Sequence, residues 1–405
     1  MKRNTIIELG SSGSRAENPP PIAPDSPNVA PAASTATNVR VGGSRSAAIK
    51  IRRHGCVIDL SEMPLPPEVL FHRYFQELSP FWREKYRGKH DLEALETLEL
   101  RPLLVAIQGA LNEGLNEEHA VREPVDSHPF HLDYIDSTVP NALAFRHDDY
   151  AFIGITIRLV NELWDASDLL GKSEVIASLI GVRLVGEQRE ALRVVFFRTM
   201  LSFIVLHEWT HHIHGHVGPR GLGSVHFDEI LDGGQGGDLE SQALEVDADG
   251  YAVHLVLNNL IAGNARASAV TTFLKLDEQP LSVQDEVLFA CFVVAVGAFL
   301  YIRHPVTVNS ANVYTLTHPP QAERMNFIMN QAMRWCQPSR ADLAARMALD
   351  RFQKLMRGTA EATPGDSGGI NWAAQTAFLM SPDGREYNRK LNGVYQSYVQ
   401  TLFPT

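Results

Sequence analysis

In the segment HEWTHHIHGH, His207 and His211 are four positions apart and Glu208 follows the first of them. A helix turns once in about 3.6 residues, so residues four apart share a face and both imidazoles can converge on one metal ion. Glu208 stands beside that face, where its carboxylate can reach a water activated by the metal. This is the His-Glu-x-x-His arrangement of metal-assisted hydrolysis, with the glutamate as general base. The segment closes a long apolar run, RVVFFRTMLSFIVL, and the pattern predicts one helix from Gln188 to His216. Arg198 interrupts the run too soon for a membrane span.

A hydrolytic zinc site takes three protein ligands and keeps one position open, so a second element must supply another ligand. The metzincin pattern needs Gly seven and His ten residues after the first ligand. Those positions hold His214 and Val217, which removes it. His212, His214 and His216 are expected around the site or at the surface. After a stretch with seven glycines between Val217 and Leu239, read as a lid or a plain connector, LESQALEVDADGYAVHLVL has helical character. Leu244, Ala248, Tyr251, Ala252 and Leu255 form its apolar stripe, and Glu245 and Asp249 are one turn apart. Such a pair can act together, Glu245 binding the metal while Asp249 accepts the free ring N–H of a ligating histidine. Glu240 and Asp249 are the alternative ligands, and a solvated acidic face is the plain reading of these carboxylates.

The elements that must position these groups lie in a chain of 405 residues with 44% hydrophobic content, enough for a packed core. A net charge of -11, with no basic run carrying interleaved aromatics, argues against nucleic acid as a partner. Cys56, Cys291 and Cys336 are widely spaced and make no metal-binding pair, which points to a reduced, cytoplasmic setting. Residues 1–48 are dominated by Pro, Ser, Ala, Asn and Gly and are expected to be a disordered low-complexity tail, with one folded domain over 49–405.

Within that domain AIKIRRHGCVIDL reads as a strand pair turning at His54-Gly55. Pro67–Trp82 and His90–Leu115 carry helical periodicity. Pro102 falls in the first turn of the second helix, leaving Leu92, Leu95 and Leu98 on a separate turn before it. The histidines of SHPFHLDY, residues 127–134, have no ligand spacing and are expected to be satisfied structural groups. Tyr150–Ile157 reads as a strand followed by a helix. Asn141–Phe145, or the strand after it, is the candidate edge where an extended peptide could add itself, an internal strand being the alternative. Ser339 and Gly358 bracket what reads as one amphipathic helix, with two helical stretches beyond it.

HEWTHHIHGH followed by EVDADGYA resembles the gluzincin metallopeptidases, and within them the group of the CAAX prenyl proteases and HtpX, with its His-Glu-x-x-His and later Glu-x-x-Ala-Asp. PNALAF resembles that group's Asn-Ala segment at the substrate edge, and THPPQAERMNFI resembles its late Ser/Thr-His-Pro…Arg segment. The resemblance spans about Asn141 to Arg324. It implies an α+β, mostly helical, zincin-like fold with a small sheet over the active-site helix, and Zn2+ on His207, His211 and Glu245. It also implies Glu208 and His318 in catalysis, Asp249 behind a ligand, and Asn141, Ala142 and Arg324 toward a protein or peptide substrate. His318 would donate to the developing oxyanion. A looser resemblance, to phage-exclusion peptidases of the Lit type, implies a cellular protein as substrate.

Members of the first group usually have several membrane helices. Here the candidate is VLFACFVVAVGAFLYI, residues 287–302, which is shorter than the about 20 residues a span requires. A span there would also put His318 across the membrane from the metal, so a buried core helix is expected and membrane association is not favoured. The sequence therefore reads as a zinc-dependent metalloendopeptidase. The rival reading is a non-catalytic, zinc-stabilised regulatory or interaction module, although a structural zinc more often has four protein ligands and no spare carboxylate.

Overall fold

The computed structural model describes residues 50–53, 56–59, 65–94, 100–121, 128–217, 237–262, 269–302, 307–363 and 372–402. The tail 1–48 and the glycine-rich stretch 218–236 fall outside the described residues. Two units are distinguished: one over Ser11–Pro66, and one that carries everything from Pro67 onward. The first contains an antiparallel pair, β1 (Lys50–Arg53) and β2 (Cys56–Asp59), in the register Arg53↔Cys56 that the alternation predicts. The division between the two falls at Pro67.

The larger unit is α+β and mostly helical. Its sheet has four strands, β3 (Tyr86–Lys89), β4 (Phe130–Ser137), β5 (Ala142–His147) and β6 (Tyr150–Thr156), in the order β3-β4-β6-β5. β4 and β6 run parallel, and the other pairs are antiparallel. β5 and β6 form a hairpin closed at His147↔Tyr150, with Asp148 at φ 50 in the turn, a conformation that Asp tolerates better than most residues.

β3 and β4 left no strand signal in the sequence. β3 is only four residues long, and β4 is buried along most of its length, so period-two alternation never develops in it. β4 carries a charge inside, and the surroundings meet it: Asp133 is 2.7 Å from Lys89 Nζ and receives the amide of Gln108 at 2.9 Å. Where β4 extends beyond β3, the amides of Asn112 and Asn116 exchange hydrogen bonds with the backbone of Leu132 and Phe130. These side chains lie on α3 (Leu100–Val121), which thereby satisfies backbone groups that a fifth strand would otherwise take. Pro102 sits in the first turn of α3, after a short 3-10 turn at Leu92–Ala94.

One sheet face is covered by α1 (Pro67–Glu77), whose Phe71, Tyr74 and Phe75 pack with Phe145 and Phe152. α2 (Pro80–Lys85) follows it. The main core contains residues of α4 (Ile157–Lys172), α5 (Glu174–Ile180) and α6 (Gln188–Ile213). Thr156 caps α4 by accepting the Leu159 N–H, so the last residue of β6 also starts the helix. α7 (Leu239–Leu257) begins at the cap of Asp238 and runs into a π-helical turn, Asn258–Ala262. Its expected apolar stripe is only partly realised, since Leu244, Tyr251 and Leu255 are half-buried while Glu245, Asp247 and Asp249 are buried. The helix is enclosed on several sides by α6, α10 (Gln321–Cys336) and α14 (Pro382–Leu402), so no single stripe describes it.

After the short α8 (Ala269–Phe273), α9 (Leu281–Tyr301) contains the apolar run at 287–302. By length and composition it could cross a membrane, but 89% of its apolar window is buried inside the fold, as expected for a core helix. The helix expected after Ser339 is two helices, α11 (Ala341–Arg346) and α12 (Leu349–Ala362). Gly358 lies within α12 and ends nothing: a Cβ there would collide with Leu179 of α5, so the glycine permits close helix packing. α13 (Trp372–Met380) precedes α14.

Candidate metal centre

The last two turns of α6 present His207 and His211 on one face, both fully buried, with Glu208 also at 0% exposure. α7 packs across this face and brings Glu245 to it. Ligand atoms of His207, His211 and Glu245 all lie within 4.8 Å of one another. The two Nε2 atoms are 3.0 Å apart, His207 Nε2 is 3.1 Å from Glu245 Oε2, and His211 Nε2 is 3.4 Å from Glu245 Oε1. A tetrahedral zinc with bonds of 2.0–2.1 Å holds its ligand atoms about 3.3–3.4 Å apart; the two nitrogens are within a few tenths of an ångström of that spacing, and each lies near a different oxygen of Glu245.

The surrounding hydrogen bonds favour that use. His207 Nδ1 is 2.9 Å from Asp249 Oδ1, and Asp249 in turn receives the Nε of Arg324 at 2.9 Å and its Nη2 at 2.7 Å. A carboxylate gripped by a guanidinium faces His207 as an acceptor, so Nδ1 carries the proton and a neutral ring turns the lone pair of Nε2 toward His211 and Glu245. Two imidazole lone pairs and a carboxylate facing one point repel one another unless a cation lies between them. With no ion between them, protons on the facing histidines would take the cation's place: burial opposes ionisation of Glu245, but His318, His211 and His207 then outweigh it and hold the carboxyl well below the usual range. The donor set, two imidazoles and one carboxylate, could hold a metal ion such as zinc and leave a position for a further ligand.

His318 lies in the segment before α10, buried, with Nε2 3.2 Å from Glu245 Oε2 and Nδ1 2.9 Å from Thr317 Oγ1. It therefore reaches the cluster from a third part of the chain. Arg324, expected toward the substrate, is wholly buried with two of its N–H groups on Asp249, where its charge supports the carboxylate behind His207. Asn141 is buried beside the start of β5, its amide donating to Tyr86 Oη at 2.8 Å, and Ala142 pairs with Ile155 inside the sheet. β5 is the terminal strand of the four described, in agreement with the choice of Asn141–Phe145 as an edge. Glu240, the alternative ligand, is exposed at the start of α7.

His212 Nε2 contacts the carbonyl of Phe152 at 2.9 Å and ties α6 to β6. His131 and His128 have structural partners in Asp133 and the carbonyl of Asp149. A second group, His214, His216 and Asp247, adjoins the first. Asp247, between Glu245 and Asp249 on α7, is buried as well. Burial raises its carboxyl, but bonds to His214 and His216 bring it down to about 2. His216 is lowered from its ordinary value, chiefly by burial, with Asp247 opposing. The signal that could have found this group is Gly215, a helix-ending residue placed so that the following histidine turns back onto the helix.

No protein-family model, curated protein or solved structure matches this chain.

Proposed function

We propose that this chain is a zinc-dependent metalloendopeptidase of the gluzincin type, with a zincin-like arrangement of small sheet and active-site helix. One observation supports this reading above the others: two histidines one turn apart on α6 and a carboxylate from α7 converge with buried Glu208 beside them. His207, His211 and Glu245 would hold the ion. When bound, Zn2+ supplies Lewis acidity toward a scissile carbonyl and lowers the pKa of water to about 7. Glu208 takes the proton of the attacking water and returns it to the leaving amine. Burial of the cluster sharpens these electrostatic interactions by excluding bulk water. An extended protein or peptide substrate would align along β5, because half of the backbone groups of an antiparallel terminal strand point away from its partner.

The primary test is the zinc content of the purified chain beside that of Glu245→Ala. We expect near-stoichiometric zinc in the parent and clear loss in the variant. A folded parent that takes up no zinc would remove the reading. His318 is the proposed donor to the developing oxyanion, so His318→Ala should keep its zinc while kcat falls on the order of a hundredfold with little change in KM. Loss of zinc in that variant would instead make His318 a support for Glu245.

A further inference from the structure

α6 ends in a way that places one more histidine against a metal residue. Gly215 adopts φ +74, and the N–H groups of Gly215 and His216 bond to the carbonyls of His212 and His211 at 3.1 and 2.8 Å. This is the Schellman ending, in which a left-handed glycine folds the chain back over the last turn. His216 is thereby buried with its Nδ1 2.8 Å from His211 Nδ1. Its Nε2 is 3.3 Å from Asp247 Oδ2, and the same oxygen is 2.5 Å from His214 Nδ1. Asp247 lies on α7 midway between Glu245 and Asp249.

The proton inventory of this chain of groups has one solution once His211 Nε2 faces a cation. His211, neutral, then carries its proton on Nδ1 and donates it to His216 Nδ1. His216 must accept there, so its own proton is on Nε2, directed at Asp247, which also accepts from His214. No ring is charged in this arrangement; His216 Nε2–H faces Asp247 at the 3.3 Å of an ion-pair contact, outside hydrogen-bond geometry, while the His211–His216 contact at 2.8 Å is a formed hydrogen bond. The rival use of His214, His216 and Asp247 as a second cation site conflicts with this count. If His216 Nε2 also bound a cation, the four nitrogens of His211 and His216 would share one proton, leaving one ring an imidazolate. His214 Nδ1 and Asp247 Oδ2 are 2.5 Å apart, much closer than the about 3.3 Å between two ligands of one tetrahedral ion and farther from that spacing than any pair in the first cluster.

We propose that His216 and Asp247 are positioning residues for His211: they fix its Nδ1–H tautomer and ring orientation, and so set how tightly the site holds its metal. The proposal rests on the metal-site reading above. It gives the two histidine ligands separate supports, Asp249 with Arg324 behind His207, and His216 with Asp247 behind His211.

The test is Zn2+ affinity and stoichiometry of the full chain, measured by competition with a chelator, together with the visible spectrum of the Co2+-loaded chain. His216→Leu removes the acceptor, and Asn at the same position offers an amide oxygen near the place of Nδ1. We expect one zinc per chain throughout, affinity weakened about tenfold to a hundredfold in His216→Leu, a shifted Co2+ spectrum, and recovery of most of the affinity in His216→Asn. Should His216→Leu not fold, Asp247→Asn carries the test, with a smaller loss in the same direction. Unchanged affinity in the folded variants would overturn the proposal. So would two zinc ions in the parent falling to one in His216→Leu, the result of a second site. A parent that binds no zinc would instead sink the metallopeptidase reading itself, a result distinguishable from the others because the parent alone shows it.

Discussion

Glu208→Gln is expected to retain zinc and lose hydrolysis, with kcat lower by about 10²–10⁴-fold, the range attributed to a positioned general base. The substitution keeps the shape of a side chain at 0% exposure while removing its capacity to take a proton. Zinc content should be unchanged, because the converging atoms belong to His207, His211 and Glu245. The measurement is turnover of a quenched-fluorescence peptide library beside metal analysis of the same preparation. A variant as active as the parent would end the proposed mechanism. A parent that binds zinc but cleaves no peptide or protein, whose cellular role survives Glu208→Gln, would favour the zinc-stabilised interaction module.

The largest effect on stability is expected for Arg324→Met. Arg324 is fully buried and gives two N–H groups to Asp249, whose side chain is 1% exposed. Methionine fills much of the volume but leaves a carboxylate in the interior without its cation, and breaking one partner of a buried pair costs about 3–5 kcal/mol. Asp249 also holds His207, so zinc affinity should fall with stability. The double variant Arg324→Met/Asp249→Leu should recover part of the stability while leaving the metal loosely held, since it removes the stranded charge but not the need to orient His207. Urea unfolding of the chelator-treated proteins separates the two effects. A loss under about 1 kcal/mol in the single variant would mean that the pair contributes little beyond packing.

Local periodicity carried a large part of this molecule. His207 and His211 share a face because the helix repeat places residues four apart together, a fact that needs no knowledge of neighbouring elements. The same reasoning placed Glu245 and Asp249 one turn apart on α7, and Pro102 in the first turn of α3. It also marked β6, where β-branched and aromatic residues cluster, but not β5, whose ALAFRH has no β-branched residue and was reached only as a candidate edge. It failed on β4, where burial on both faces erased alternation, and on Gly358, which serves a helix contact rather than a helix end.

By itself, then, the sequence determined which side chains can act together within one element: the His-Glu-x-x-His face, the Glu245 and Asp249 pair, and the apolar run of α9. Tertiary structure decided which partner each face meets, including which histidine the expected Asp249 stands behind. It set Asp249 on Nδ1 of His207, turned Arg324 inward onto that carboxylate, brought His318 to Glu245, and folded His216 back to link His211 with Asp247. The physical reason is that backbone geometry fixes angles within a few turns of chain, whereas the partner across a face is chosen by packing and by where buried polar groups find their hydrogen bonds. Those choices join residues as far apart in sequence as Asp249 and Arg324, and no local pattern encodes them.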